Sequence, residues 1–206
     1  LKGITRYQWT RTQISLAKGA QALQMLQEHG VPTLVLKGAA LIAAGIVRPI
    51  QRSMFDLDVL VPPNRATDAI DLLRQSHWTP VYDTPESRFS LMHSLDLTLD
   101  KVSGLDLHWY AIAENCHPGI DDNWWNSAVQ TTIHGVQTHR LNTSLLLFHI
   151  LAHGARWNPN PSRRWVADAV LILRASETIA WDHVIASAQE RAMTWQTGAM
   201  LRYLHD

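Results

Sequence analysis

The sequence predicts an α+β fold, with a mixed α+β domain over residues 1–141 and a helical subdomain over residues 142–206. Two observations predict it. Before residue 142, short β-favouring runs bounded by glycine and proline alternate with helical stretches, and after it only apolar residues at helical spacing remain. At 206 residues, of which 46% are hydrophobic, the chain is long enough to bury a core of its own.

The chain opens with a helix, a short strand and a second helix. Apolar residues recur at helical spacing over residues 14–26, and a glycine and a proline then end the helix. Residues 33–36 form a β-favouring run, which is followed by Gly38 and by the alanine-rich residues 39–44. This order predicts a strand that passes through a glycine turn into a helix.

A second strand and two hairpins follow. Residues 55–61 alternate at first and then become wholly apolar until two prolines end the strand, and Asn64 can cap a helix that runs to residue 77. Residues 95–99 and 105–109 alternate on either side of a loop at residues 100–104, and residues 129–141 resemble a second hairpin. The remaining pattern predicts three helices at residues 145–155, 164–174 and 181–195, with a loop at Pro159 and Pro161.

Composition limits the class of partner and the compartment. Eighteen Lys and Arg residues balance eighteen Asp and Glu residues, so no overall positive field attracts nucleic acid or an anionic membrane. No apolar run approaches the roughly 20 residues that span a bilayer, and the single Cys116 excludes an intramolecular disulfide, so we expect a cytoplasmic protein. Since the sequence begins without Met and ends in a helical pattern, we expect an incomplete chain at both ends. The oligomeric state stays open.

Asp56 and Asp58 are the strongest candidates for chemistry. They are two residues apart on one strand, so their side chains project to the same face. Adjacent carboxylates repel each other unless a positive charge lies between them, and a hard cation such as Mg²⁺ supplies that charge. The alternative is that both face water on an edge strand. The apolar flanks favour an interior strand, where such a pair is costly without a purpose.

Lys37 and Gly38 form a candidate phosphate site. Glycine lets backbone N–H groups approach a phosphate at the start of the following helix, and lysine adds a full charge. The alternative is a tight turn from which Lys37 extends into solvent. The pair matches neither a Walker A loop nor the G-x-G-x-x-G fingerprint of dinucleotide-binding domains.

In combination these residues resemble a known family. The resemblance is carried, in order and spacing, by Leu36-Lys37-Gly38-Ala39-Ala40-Leu41, Arg52-Ser53-Met54-Phe55-Asp56-Leu57-Asp58-Val59-Leu60-Val61, Leu105-Asp106-Leu107-His108-Trp109, His153 and Arg164-Trp165-Val166-Ala167-Asp168. The sequence is similar to the large, mostly uncharacterised bacterial nucleotidyltransferase family of the polymerase-β-like superfamily over about residues 33–173. The resemblance implies a polymerase-β-like core, a small mixed sheet with flanking helices, before the helical C-terminal region. It also implies transfer of a nucleoside monophosphate from an NTP, with ATP expected, to a small-molecule, peptide or protein acceptor, with Mg²⁺ or Mn²⁺ as cofactor.

The resemblance implies a triad of metal-binding carboxylates. Asp56 and Asp58 would hold the metal ions, and Asp106 would complete the triad and act as base toward the acceptor hydroxyl. His108 shares a strand face with Asp106 and would hydrogen-bond one of the carboxylates. The third position has two other candidates, Asp96 and Asp100.

The resemblance also implies a nucleotide site. Gly38 and Ala39 would contact the triphosphate, while Lys37 and Arg52 would neutralise its charge, without the resemblance fixing which of the two touches the nucleotide. Ala39 departs from the superfamily pattern, because a serine hydroxyl is usual there. A second interpretation is therefore a catalytically weakened fold that binds nucleotide or protein. A third, a toxin or antitoxin-like module, has no specific support in the sequence.

Two residue pairs in the helical part invite competing interpretations. His149 and His153 share a helix face, which suggests zinc, yet the H-E-x-x-H glutamate and a third ligand are missing. We therefore favour core or hydrogen-bonding histidines over a metalloprotease site. Arg164 and Asp168 are also four residues apart and predict either a surface ion pair or, with His153, a role on the acceptor side of the cleft.

Overall fold

The computed structural model describes residues 2–100, 103–156, 163–176 and 178–206. It confirms the α+β class with helical elements at its C-terminal end. The predicted loop at Pro159 and Pro161 lies outside the described residues, as do two residues of the predicted 100–104 loop. The elements in chain order are α1 (Lys2–Glu28), β1 (Leu34–Val35), α2 (Lys37–Ala43), β2 (Asp56–Leu60), a 3-10 turn (Pro63–Arg65), α3 (Ala66–Gln75), β3 (Thr79–Pro80), a second 3-10 turn (Glu86–Leu91), β4 (Ser94–Leu99), β5 (Ser103–His108), α4 (Asp122–Asn126), β6 (Val129–Ile133), β7 (Val136–Arg140), α5 (Thr143–Ala155), α6 (Arg164–Ala175), α7 (Trp181–Glu190) and α8 (Thr194–His205).

The strands form one mixed sheet of seven in the order β3-β4-β5-β2-β1-β7-β6. Both predicted hairpins are present, β4 with β5 and β6 with β7. The strand β2 pairs in parallel with β5 on one side and antiparallel with β1 on the other. It is therefore an interior strand, and the alternative of an edge strand for Asp56 and Asp58 is wrong.

Helix α1 covers one face of the sheet. Its buried residues, such as Leu23 and Leu26, pack on the strands, and a Cβ on Gly19 would lie 2.4 Å from a methyl group of Leu57 on β2. Because side chains alternate along a strand, Leu57 faces α1 while Asp58 projects to the opposite face. The helix begins at Lys2, earlier than predicted, because its exposed first turns carry no buried apolar stripe to indicate them.

The helical elements after residue 142 pack around α5, which is buried on nearly all sides and contacts α6, α7 and α8. The predicted single helix at residues 181–195 is wrong. The chain turns at Ala192, which has a left-handed backbone (φ 53°), and α8 starts two residues later. At this turn the guanidinium of Arg191 is buried, lies 2.7 Å from Asp121 Oδ1 and stacks 4.1 Å from the centre of the Trp124 ring.

This ion pair ties the helices to the segment before α4, although the division into two domains at residue 142 stays a prediction. No helix among the described residues is long and apolar enough to cross a membrane.

Candidate active site

Asp58 and Asp106 lie directly opposite each other on the parallel strands β2 and β5. Both project to the face of the sheet that α1 leaves free, and Asp58 is 5% exposed. Ligand atoms of these two residues and of His108 all lie within 4.8 Å of one another, and the three form the one group of this size among the described residues that could hold a metal ion. The competing candidates are more remote, since Asp96 flanks Asp106 on the side away from Asp58 and Asp100 follows the end of β4 in a left-handed conformation.

Asp56 lies at the start of β2 on the same face and is not part of that group. It faces Gly104 across the strands, and a Cβ on this glycine would lie 3.1 Å from the Asp56 Cβ. Asp56 is exposed on its open side, yet burial on the other side and repulsion from Asp58 raise the pKa of its carboxyl to about 6. It therefore needs a cation to stay ionised in mildly acidic solution.

Lys37 supplies a positive charge between the carboxylates. Its Nζ atom lies 2.5 Å from Asp58 Oδ1 and 3.8 Å from Asp106 Oδ2. Burial opposes the charge, but Asp58 and Asp106 outweigh it and raise the pKa of Lys37 above its ordinary value. Lys37 is the first residue of α2, which only Leu36 separates from β1, and its backbone is left-handed (φ 46°), which is uncommon for a residue other than glycine.

His108 supplies a second positive charge. Its Nε2 atom donates to Asp106 Oδ2 at 2.8 Å and lies 3.4 Å from Asp58 Oδ1. Burial alone would lower the pKa of His108, but the two carboxylates raise it to about 9. Burial by itself raises the pKa of the Asp58 and Asp106 carboxyls. Lys37 and His108 outweigh it at Asp58 and hold the pKa of that carboxyl well below its usual range. At Asp106, His108 outweighs it and lowers the pKa. The structure thus brings Asp58, Asp106 and His108 together, whereas Asp56, the remaining predicted metal ligand, lies outside this group.

A cleft of about 340 Å³ opens beside these groups, between the sheet and the helices α5 and α6. Its lining contains eight of the predicted site residues, namely Lys37, Gly38, Arg52, Asp56, Asp58, His153, Arg164 and Asp168. Asp106, His108 and Ala39 do not line it, and Ala39 is fully buried. Five further residues line it that the sequence had not assigned to the site, namely Met54 and Trp165, which lie inside the quoted motifs, and Ile150, Gly154 and Arg156.

The contact between Gly154 and Trp165 is visible only in three dimensions. A Cβ on Gly154 would lie 2.4 Å from the Trp165 ring, so the glycine lets α5 approach α6 closely. Arg156 had a weak local signal, because it follows His153 at the end of the same helix. Its Nε lies 3.1 Å from Glu114 Oε1.

Arg52 and Asp168 form a buried, two-pronged ion pair at the side of the cleft. The Nε atom of Arg52 lies 2.9 Å from Asp168 Oδ1, and its second terminal nitrogen lies 3.0 Å from Oδ2. Burial raises the pKa of Asp168, and Arg52 only partly offsets this effect. Asp168, for which the sequence suggested a surface pair with Arg164, is thus buried and joins α6 to the loop before β2 through Arg52. The guanidinium of Arg164 lies 5.9 Å from the centre of the Phe55 ring.

His149 and His153 differ in their surroundings although they share a helix. His149 is buried with its ring 5.8 Å from that of Trp124 in an edge contact, whereas His153 is exposed in the cleft. Although His153 reaches solvent in the cleft, shielding of the rest of its side chain from water and the charge of nearby Lys37 lower its pKa to about 4. Neither histidine belongs to the metal-capable group among the described residues, so the zinc interpretation gains no support.

The Asp58 and Asp106 carboxylates fit a hard divalent cation. Carboxylate oxygens are the ligands that Mg²⁺ and Mn²⁺ prefer, and the Oδ1 atom of Asp106 is buried without a hydrogen-bond partner among the described residues. An unpaired buried acceptor is costly, and a cation would satisfy it. Asp56 would complete the oxygen ligands from the open side of the cleft.

The chain is similar in fold to solved nucleotidyltransferases. The solution structure of the antibiotic-resistance factor ANT(2'')-Ia is 15% identical, with coverage of 94% of this chain and 97% of that chain and a TM-score of 0.57. A crystal structure of ANT(2'')-Ia with adenylyl-2''-tobramycin is 13% identical, and the match covers 86% of this chain and 97% of that chain with a TM-score of 0.59. The lincomycin-bound lincosamide antibiotic adenylyltransferase LnuA is 13% identical, and the match covers 75% of this chain and 93% of that chain with a TM-score of 0.52. At these identities the likeness shows the fold alone.

Sequence comparison identifies a family. The family described as "uncharacterised nucleotidyltransferase" matches residues 1–206, which is the whole chain. No curated protein is detectably similar to it in sequence.

Proposed function

From the premise that this chain belongs to the uncharacterised nucleotidyltransferase family and is therefore a nucleotidyltransferase, we propose a metal-dependent transfer of a nucleoside monophosphate from an NTP to an acceptor hydroxyl. One observation carries the proposal. Asp58 and Asp106 face each other on adjacent strands, with Asp56 on the same strand face and Lys37 in contact with both facing carboxylates beside the cleft.

The carboxylates hold Mg²⁺ or Mn²⁺ in this proposal. The metal supplies charge stabilisation at the phosphate oxygens and favours ionisation of the attacking hydroxyl. The acceptor oxygen bonds to the α-phosphorus, the bond from the α-phosphorus to the bridging oxygen breaks, and pyrophosphate leaves. Asp106 takes the proton of the acceptor hydroxyl, and His108 orients Asp106 through their hydrogen bond.

The nucleotide binds along the side of the cleft formed by Lys37, Gly38 and Arg52, with the backbone at Ala39 as a further contact. Support comes from the cleft itself, which is lined by the first three. Because the Ala39 side chain is buried away from the cleft, a missing hydroxyl there removes little from the binding surface. ATP is the nucleotide we propose, since one of the neighbours in fold is an adenylyltransferase and another is bound to an adenylylated product.

The acceptor is a small molecule in our proposal, rather than a peptide or protein. Two of the neighbours in fold are bound to adenylyl-2''-tobramycin and to lincomycin, and the cleft volume suits molecules of that size. The charge of the residues around the cleft argues against a polycationic acceptor. Residues 142–167 contain no Asp or Glu, and Arg156 and Arg164 from this stretch line the cleft. The one carboxylate on α6 that lines the cleft, Asp168, is neutralised by Arg52.

We therefore propose a neutral or anionic acceptor. The cytoplasm, where NTPs are abundant, is the compartment that we propose for the reaction, in keeping with a single cysteine.

Label transfer tests the function. The protein is incubated with α-³²P-ATP, Mg²⁺ or Mn²⁺, and small-molecule fractions of a cell extract that have been separated by charge. We expect label to move to an anionic or neutral acceptor with the wild type and not with Asp56→Asn/Asp58→Asn. The matched control is Asp71→Asn, because the Asp71 carboxylate is exposed on α3 and only 3.7 Å from Arg74. Nucleotide binding without transfer in every fraction and with either metal would favour a binding module instead.

A further inference from the structure

Lys37 occupies the space between the carboxylates of Asp58 and Asp106, which we call the cation position. Its Nζ atom lies 2.5 Å from Asp58 Oδ1 and 3.8 Å from Asp106 Oδ2. A Mg²⁺ ion held by the same two carboxylates, with the unpaired Oδ1 of Asp106 among its ligands, would lie about 2.1 Å from the oxygens that bind it. Because the ammonium group already contacts both carboxylates, a metal ion held by them would lie close to a second positive charge and be repelled by it.

We propose that Lys37 is an internal counter-ion that fills the cation position in the free protein and leaves it when metal and nucleotide bind. The proposal rests on the function proposed above. In the free state the ammonium group stabilises two adjacent carboxylates, a pair that would otherwise repel. In the bound state the metal takes over that task, and Lys37 turns toward the phosphates.

The surroundings of Lys37 suit such a movement. Its side chain is only 20% exposed, yet Lys37 lines the same cleft as Gly38 and Arg52, so the phosphate side is within reach of the same stem. A lysine is a point charge on a flexible chain of four carbons, whereas Arg52 is fixed by three hydrogen bonds to Asp168 and by another to the Ser53 carbonyl. Of these two cations, Lys37 is the one that can change partners without breaking a two-pronged ion pair.

The consequence is a coupling between metal and nucleotide. Metal alone must displace Lys37 and leave the ammonium group without a carboxylate partner, so it binds weakly. When an NTP is present, its phosphates accept the displaced ammonium group, so each ligand favours the other. Lys37 thereby disfavours a metal-loaded site that lacks nucleotide.

The test is the affinity for Mn²⁺, which is measured from the electron paramagnetic resonance signal of the free ion with and without a non-hydrolysable ATP analogue. Without nucleotide, Lys37→Met should bind Mn²⁺ roughly tenfold or more tightly than the wild type, because a close ion pair no longer competes. The analogue should strengthen Mn²⁺ binding in the wild type and have a smaller effect in Lys37→Met. Lys37→Arg keeps the charge and should resemble the wild type. Circular dichroism checks the fold, and Lys37→Gly, which suits the left-handed backbone, replaces Lys37→Met should that variant not fold.

The outcomes separate this inference from the proposed function. If the wild type binds Mn²⁺ with the analogue but removal of the lysine gives no gain without it, the counter-ion role is wrong and the metal-dependent function stands. If neither the wild type nor any variant binds Mn²⁺ under either condition, both proposals are wrong.

Discussion

The Nε2 atom of His108 lies 2.8 Å from Oδ2 of Asp106, so a cation on the same strand holds the third carboxylate of the candidate triad. The two residues are two apart on β5, and the alternation that turns Asp106 toward Asp58 also turns His108 toward both. Together, Lys37 and His108 oppose three carboxylates with two positive charges. This balance allows Asp58 and Asp106 to remain ionised side by side.

The variant His108→Gln should change how stability depends on pH. Burial lowers the pKa of His108, but the carboxylates outweigh burial and raise this pKa from 6.5 to about 9. The folded state therefore binds the imidazole proton more tightly than the unfolded state does. The resulting stabilisation is fully present below the unfolded pKa and is lost as the pH rises through about 9. From about pH 6.5 to pH 9, the unfolding free energy of the wild type should fall by on the order of 2 kcal/mol relative to the variant.

Urea unfolding at several pH values measures this difference. The control is His183→Gln, because His183 is exposed on α7 and should follow the wild-type curve at every pH. A constant offset between the wild type and His108→Gln across the range would show that His108 is not charged in the folded protein.

The variant Asp168→Asn should destabilise the fold by about 2–4 kcal/mol, because it leaves the Arg52 guanidinium partly buried without a counter-charge. The expected cost is much larger than for Asp68→Asn, whose exposed pair with Arg65 should contribute at most about 1 kcal/mol. Chemical denaturation compares the two variants. Equal losses would mean that the Arg52 pair is no more important than a surface ion pair.

A pair of helical glycines gives opposite predictions for substitution by alanine. On Gly154 the new Cβ would lie 2.4 Å from the Trp165 ring, so Gly154→Ala should cost about 1–3 kcal/mol and displace the ring that lines the cleft. Nothing lies within 4 Å of a Cβ on the exposed Gly198 in α8, so Gly198→Ala should stabilise the fold by up to about 1 kcal/mol. Thermal unfolding and tryptophan fluorescence measure both effects. A neutral Gly154→Ala would indicate that α5 and α6 do not pack as described.

Local patterns predicted the parts of the site that lie on single elements. The alternation in β2 predicted that Asp56 and Asp58 share a face, and the alternation in β5 predicted the same for Asp106 and His108. The register that sets Asp58 opposite Asp106 could not be read in this way. It depends on parallel pairing between strands that are far apart in sequence, and many registers satisfy the same local pattern.

Contacts between distant segments account for most of what was missed. Arg52 and Asp168 are 116 residues apart, while the spacing rule for helices pointed only to the neighbour four residues before Asp168. The turn between α7 and α8 has a similar cause. It is formed by Ala192, a residue that favours helix, and it is stabilised by the buried contact of Arg191 with Asp121.

The pKa of Asp56 predicts how metal binding depends on pH. Burial and repulsion from Asp58 raise the pKa of this carboxyl to about 6, so a proton competes with metal below that pH. In the presence of the ATP analogue, the Mn²⁺ affinity of the wild type should therefore rise up to about tenfold per pH unit below pH 6 and level off above it. Asp56→Asn, which has no proton to lose, should bind Mn²⁺ more weakly at neutral pH and show a flatter profile. Asp71→Asn should retain the wild-type profile, because its carboxylate lies on the exposed face of α3. A wild-type affinity that does not change between pH 5 and pH 7 would place Asp56 outside the metal site and leave Asp58 and Asp106 as its only carboxylates among the described residues.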